Sequence, residues 1–361
     1  VGAYLDANAT EPLRPKARAA MFSAFEVVGN PASVHAAGRA ARRILEDARE
    51  AVAARFDGRD LVFTSGGTEA DALAVHALGQ GRRLIVGATE HDAVRAAAAA
   101  STGAVVLPVD QDGVADLDAL AGLLRQGPAL VCLMLANNET GTLQPVPGAA
   151  ALCHAAGALL HVDAVQAAGR MPVDFVALGA DSMAISSHKL GGPAGAGALL
   201  LSAEAARAMQ PLITGGGQER GRRGGTPPVA VIAGFAAAAA APPADLAALR
   251  DAIEQAAVAA GGIVVGAGAA RLANTTCIAL PGARAETQVI ALDLAGVCVS
   301  AGAACSSGKV ARSHVLEAMG LGALAGEAIR VSLPWNATAA DVQAFADAYQ
   351  AMAARLTRRA A

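Results

Sequence analysis

The sequence predicts an α/β fold: a mostly parallel sheet in a large domain, followed by a smaller α/β domain. Three observations carry that expectation. Short apolar runs alternate with helical stretches through the first two hundred residues, the pattern of parallel strands covered on both faces. Each run is followed by a polar or glycine-rich group, where ligands sit in such sheets. An alanine- and proline-rich stretch, Ala236 to Ala244, then interrupts the pattern and reads as a boundary. The expected division is a large domain over residues 13–240, and a small one made of 1–12 and 241–361.

The elements follow in order. Ala40 to Phe56 carries Ile44, Ala48, Val52 and Phe56 four apart with charges between them, which predicts an amphipathic helix. Strands are expected at Leu61–Thr64, Leu84–Val86, Ala104–Val109, Leu130–Leu135 and Ala158–Val162, then before Ser186 and over Ala196–Leu201. Beyond the boundary come a helix over Asp245–Ala259, strands near Thr275–Ala279, Val297–Ser300 and Ala328–Leu333, and a last helix from Thr338 to about Leu356.

Composition narrows the function classes. At 361 residues with a net charge of −3, the chain shows neither a nucleic-acid footprint nor an acidic tail. No apolar stretch is long enough for a membrane span, and no signal peptide is visible. The five cysteines are odd in number and none is in C-x-x-C spacing, which argues against a disulfide framework or zinc site and for the cytoplasm. Cys132, Cys153, Cys277 and Cys298 sit in apolar context and read as core residues. Cys305 lies instead in the small-residue stretch Ser300-Ala-Gly-Ala-Ala-Cys-Ser-Ser-Gly308.

Lysine is scarce: only Lys16, Lys189 and Lys309 occur, against 25 arginines. Lys189 stands in a glycine-rich connection between two expected strands, where a backbone closes around a ligand. A lysine amine forms an imine, and arginine cannot. Ser65-Gly-Gly-Thr68 opens a helix, either as a phosphate cradle using free N–H groups or as an ordinary glycine turn with a threonine cap. Asp163 ends an apolar strand, as a helix cap or as the partner of a protonated ring nitrogen. His91 also follows a strand, as a cap or as a planar group for a ring face. Imine lysine, anion cradle, ring-nitrogen carboxylate and stacking group together describe pyridoxal 5'-phosphate.

Glu90-His91, Asn137-Asn-Glu139, His161-Val-Asp-Ala-Val-Gln166, Ser186-Ser-His-Lys189, Gly215-Gly-Gly-Gln-Glu-Arg220 and Ala301-Gly-Ala-Ala-Cys-Ser306 resemble, in order, the cysteine desulfurases of the NifS/IscS type. The resemblance extends from Tyr4-Leu-Asp-Ala-Asn-Ala-Thr10 through Gly29-Asn-Pro-Ala-Ser33 to Ile329-Arg-Val-Ser332 and covers essentially the whole chain. It implies a fold-type I pyridoxal phosphate-dependent transferase, acting as a homodimer that converts L-cysteine to L-alanine and leaves a persulfide on Cys305. It implies that Lys189 holds the cofactor and moves the Cα proton, and that Asp163 pairs with the ring nitrogen. Gln166 and Asn138 would address the ring oxygen, and His91 would stack on the ring. Gly67, Thr68, Ser186 and His188 would bind phosphate, with Thr226 contributed by the other subunit. Arg330 and Asn138, with Asn30 nearby, would hold the substrate carboxylate. A sulfur-acceptor protein is the implied partner, with an iron–sulfur scaffold as the expected recipient and tRNA thiolation as another route.

Two residues depart from the family pattern: Ser187 stands for a usual glycine, and Gln218 for a usual histidine. The rival readings are a selenocysteine or cysteine sulfinate lyase, an aminotransferase of the same fold, and a non-catalytic scaffold. Cys305 distinguishes the first two from a desulfurase, and Lys189 with Asp163 speaks against the third.

Overall fold

The computed structural model describes residues 2–58, 60–100, 103–302 and 312–360. Cys305 and Lys309 therefore lie outside the described residues.

After a two-residue strand, β1 (Ala3–Tyr4), the chain lays down β2 (Asp60–Thr64), β3 (Arg83–Gly87), β4 (Val105–Leu107), β5 (Ala129–Met134), β6 (Leu159–Asp163), β7 (Ser182–Ser186) and β8 (Gly197–Leu201). These last seven form one sheet in the order β2-β8-β7-β6-β5-β3-β4. The strands from β3 to β7 pair in parallel. β8 alone reverses, antiparallel to both β7 and β2. The reason is the connection: residues 187–196 are too few for a helical crossover, so the chain must turn back beside β7. β5, β6, β7 and β8 are buried along their whole length, as strands covered on both faces should be.

The expected strands lie within one or two residues of their places, with two informative exceptions, and Ala3–Tyr4 and Ile263–Val265 are strands that were not expected. The Ala104–Val109 run yields only Val105–Leu107, because Pro108 has no N–H to continue the ladder. Val297–Ser300 is not one strand. β11 (Val297–Cys298) pairs in parallel with β1, and β12 (Ser300–Ala301) joins a different sheet. That second sheet has the order β12-β13-β10-β9 and is antiparallel throughout, with β9 (Ile263–Val265), β10 (Thr275–Ala279) and β13 (Ala328–Ser332). The helices Ala247–Ala259 and Ala339–Ala360 bury Ile253, Phe345 and Tyr349 in one core with Ile278 and Ile329 of this sheet.

Helix boundaries shifted more. The amphipathic helix spans Ala36–Arg55, because His35 caps it, its Nδ1 accepting from the Gly38 N–H at 3.2 Å. Its buried stripe is Ala41, Leu45, Ala48 and Val52, so Ile44 is displaced from the expected face. The alanine-rich boundary begins too early: Ala236 to Ala239 close the helix Val229–Ala239 against the large core. Alanine is the best helix former, and only the prolines after it break the chain. Cys132, Cys153 and Cys277 are buried, whereas Cys298 is half-buried on a strand with only β1 beside it.

Candidate active site

The polar groups at the strand ends converge. Gly67, Thr68, His91, Asn138, Asp163, Gln166, Ser186, His188 and Lys189 all line one cavity of about 140 Å³. Each comes from the carboxyl end of a strand or the segment after it, so a single end of the sheet supplies them all.

The anion side is built by the helix Gly67–Leu78, which starts two residues before Glu69. A Cβ at Gly67 would lie 2.6 Å from Val165 Cγ2, so only glycine lets this helix end approach the turn after β6. Glu69 is occupied within the first turn: it accepts from the Ser65 N–H at 2.7 Å and from Arg223 at 2.8 Å. Ser186 Oγ is buried at the end of β7 without a hydrogen-bond partner, beside the free N–H groups of the helix start. His188 meets Thr10 Oγ1 through Nδ1 at 3.2 Å. Burial, then the neighbouring Lys189 charge, lower its pKa to about 4, so it faces the cavity as a neutral ring near pH 7.

Lys189 follows in a short 3₁₀ turn over Ser187–Lys189. Its amine donates to the carbonyl oxygens of Asn8 and Ala9. Those carbonyls belong to the Tyr4–Thr10 segment, tied in turn to β13 through the Ala7 N–H and the Ser332 carbonyl at 3.0 Å. Ser187, where the family pattern has glycine, is fully buried, and its Oγ has no hydrogen-bond partner.

Asp163, also in the cavity lining, closes β6 with Oδ1 accepting from the Val165 N–H at 2.9 Å. Burial raises its pKa to about 7, and the nearby Asp71 carboxyl adds to the rise. A carboxyl that resists ionisation there gains from a cationic ring nitrogen. His91 caps the helix Asp92–Ala99, its Nδ1 accepting from the Ala93 N–H at 3.1 Å, which leaves the proton on Nε2. An unpartnered buried hydroxyl, a helix start admitting only glycine and a buried carboxyl that favours a cation fit pyridoxal 5'-phosphate in this cavity.

Three expected site residues lie outside it. Asn30 is exposed beside a separate hollow lined by Gly216–Arg220, its Oδ1 turned back onto the Ala32 N–H at 2.9 Å. Thr226 is exposed in a loop. Arg330 is buried: Nη2 donates to Asp6 Oδ1 at 2.7 Å and Nη1 to the Asn138 carbonyl at 3.2 Å. The expected grouping of Asn30 with Asn138 and Arg330 is thus not formed within one chain, because Asn30 lies in the loop between the first two helices.

The sequence reading missed Asp71 and Asn8. Asp71 lines the cavity and meets His161 Nε2 at 3.1 Å, while His161 Nδ1 meets Ser182 Oγ at 2.8 Å. The available signal was an acidic residue within the apolar helix face Ala70, Leu73 and Ala74. Asn8 donates from Nδ2 to the Asn138 carbonyl at 3.0 Å, and its own carbonyl serves Lys189 and Gln166.

A family model described as aminotransferase class-V matches residues 3–345. The chain belongs to this family. Within the class-V aminotransferases it is 44% identical over 360 residues to a cysteine desulfurase of Cereibacter sphaeroides, covering 94% of this chain and 92% of that one. A NifS-like protein from Rickettsia africae has the same fold with a TM-score of 0.90 at 33% identity, over 98% of this chain and 99% of that one. SspA, solved in complex with cysteine, matches with a TM-score of 0.83 at 26% identity, over 92% and 99% of the two chains. The kinship with NifS/IscS-type cysteine desulfurases expected from the motifs is met, as is the α/β architecture.

Proposed function

We propose that this class-V aminotransferase family member is a cysteine desulfurase that converts L-cysteine to L-alanine and leaves the sulfur as a persulfide on Cys305. The observation that carries the reading is the convergence of five strand-end segments on one cavity lined by both Lys189 and Asp163. The bound cysteine of SspA and the similar desulfurases support L-cysteine as substrate.

When bound, pyridoxal phosphate supplies the electron sink that acidifies the substrate Cα–H. Gly67, Thr68, Ser186 and His188 would hold its phosphate, Asp163 its ring nitrogen, His91 its face, Asn138 and Gln166 its ring oxygen, and Lys189 its carbonyl carbon. Lys189 then carries the proton between Cα and the cavity. Arg330 would take the substrate carboxylate, its guanidinium held beside the cavity-lining Asn138 by the Nη1 bond to that residue's carbonyl. The Cys305 thiolate forms a bond to the substrate sulfur as the substrate C–S bond breaks. That bond's electron pair stays on Cβ, which takes a proton to become the methyl group of alanine.

Thr226 is read as serving the cavity of a second subunit. Its exposure outside its own cavity supports this, as do the exposed side chains of Phe22, Phe25, Val28 and Val34, an apolar group suited to a homodimer face. Residues 13–240 are taken as the cofactor domain, and 1–12 with 241–361 as the smaller one. Separate apolar cores support the division: one unites Leu5 with Ile253 and Phe345, while two others cover the seven-stranded sheet. Sulfur passes to an acceptor protein, with an iron–sulfur scaffold as the proposed recipient, in the cytoplasm. Among the described residues, no helix is long and apolar enough to cross a membrane.

Alanine formed from L-cysteine, selenocysteine and cysteine sulfinate by wild type and Cys305→Ala tests the reading. Alanine from L-cysteine is expected to collapse in the variant, while the other two substrates keep part of their turnover because their leaving groups depart more readily. An unchanged rate with L-cysteine favours the lyase reading instead.

A further inference from the structure

Glu139 has no part in the chemistry above, yet its carboxyl occupies a singular place. It is 2% exposed, one residue beyond the cavity-lining Asn138. Its Oε2 accepts from Ser313 Oγ at 2.6 Å. A Cβ built at Gly302 would overlap that same Oε2 and come within 3.0 Å of Ser313 Cβ. Gly302 and Ser313 flank Cys305 in the sequence. Both ends of the stretch that carries the cysteine therefore meet at one side chain.

The two ends are also held elsewhere. On one side, Ser300 Oγ donates to Asp6 Oδ2 at 2.9 Å, and Asp6 Oδ1 accepts from Arg330. On the other, the Ser313 N–H donates to the Ala325 carbonyl at 2.8 Å, and Ser313 Oγ caps the next helix by accepting from the Leu316 N–H at 3.1 Å. Glu139 joins these two otherwise separate anchorages, and it adjoins the Asn138 carbonyl that Arg330 binds.

We propose that Glu139 is a positioning residue for the sulfur-accepting step, its buried carboxyl joining the two ends of the Cys305 segment next to the cofactor cavity. This rests on the desulfurase reading for its purpose but not for its geometry. Cys305 is three residues beyond Gly302 and eight before Ser313 in the sequence. A tether at both ends of a segment raises the effective concentration of a group that it carries. A side chain at Gly302 would press on the Glu139 carboxyl and on Ser313 Cβ. Ser313 has to keep a hydroxyl, because Glu139 is too buried to exchange it for water.

The test compares wild type with Glu139→Ala, Glu139→Gln and Ser313→Ala in cofactor-loaded protein. Two quantities are read: the rate at which iodoacetamide alkylates Cys305, followed by peptide mass, and the single-turnover yield of alanine from L-cysteine. Substrate binding is followed separately by its spectral change. In Glu139→Ala, alkylation should rise about fivefold or more and alanine formation should fall about tenfold or more, with L-cysteine affinity within twofold of wild type. Glu139→Gln should stay within threefold on both, because its amide oxygen still accepts from Ser313. Should Glu139→Ala not fold, Ser313→Ala carries the same comparison and should shift both quantities in the same directions. Alkylation within twofold of wild type in the foldable variants, or a Gln variant as impaired as the Ala variant, would overturn the proposal. Wild type that makes no persulfide would instead sink the desulfurase reading, and the alkylation rates would still judge the clamp.

Discussion

Both carboxylate oxygens of Glu219 accept from the Arg49 guanidinium, at 2.7 and 2.8 Å. The side chains are 4% and 11% exposed, and Glu219 also accepts from the Phe63 N–H of β2 at 2.9 Å. Glu219 and Arg220 take left-handed backbone angles, φ 48° and 58°. A paired, buried carboxylate thus ties the glycine-rich 215–221 segment to the edge strand. Gln218 sits apart, accepting from the Gly225 N–H at 3.0 Å.

Removing Glu219 leaves Arg49 only the half-exposed Glu46 as an ionic partner, at 3.0 Å, and leaves the Phe63 N–H without its acceptor. Glu219→Ala should therefore destabilise the protein by about 1.5–3 kcal/mol, read as a lower urea midpoint at pH 7. A loss below about 1 kcal/mol would show that the pair is solvated in solution.

Trapping should place the cofactor on Lys189. Borohydride reduction and peptide mapping are expected to find the pyridoxyl mass on the peptide holding Lys189, and none after Lys189→Ala. With only two other lysines in the chain, label on Lys16 or Lys309 is readily distinguished and would reverse the assignment.

Asp163 sets a pH dependence in the cofactor-free chain. Its folded pKa is raised to about 7 against an ordinary value of 3.8, so between those values the folded state binds more protons than the unfolded one. Stability contributed by this site is present below about pH 4 and is lost as pH rises toward 7, by up to about 4 kcal/mol. Cofactor-free Asp163→Asn should be more stable than wild type at pH 8 and nearly equal at pH 4, by urea unfolding. The same variant should lose desulfurase activity on the order of a hundredfold, about 2.7 kcal/mol of barrier.

Asp71 is held up near 8 by burial and His161 down near 4, so the contacting pair carries a single proton at neutral pH. Asp71→Asn keeps a neutral hydrogen-bonding group and should cost under about 1 kcal/mol, whereas Asp71→Leu leaves His161 Nε2 unpaired and should cost about 1–3 kcal/mol. Equal losses in the two variants, measured by urea unfolding at pH 7, would count against the shared proton.

What the sequence revealed and what it hid divide along one physical line. Lys189, Asp163, His91 and the Gly67 cradle were readable because each follows its own apolar strand, a local pattern. Asp71 and Asn8 were not, since their partners lie 90 and 130 residues away and no local period announces such a pairing. The same holds for Val297–Ser300, whose apolar run looks continuous while its two halves serve different sheets. Arg330 was found by motif alone, and its ties to Asp6 and Asn138 came only from the fold.

The reversed strand β8 bears on the order in which the molecule assembles. β2 pairs with no neighbour made before it: its register joins Asp60 to Leu201 and Thr64 to Gly197. The N-terminal strand of the sheet must wait for its last one, a distant pairing of the kind that slows folding. The helix start at Gly67 follows β2 directly, while Ser186 and Lys189 precede β8. The two halves of the cofactor cavity are thus brought together by one late zipping event, so nascent chains should capture cofactor only after Leu201 has been synthesised and docked.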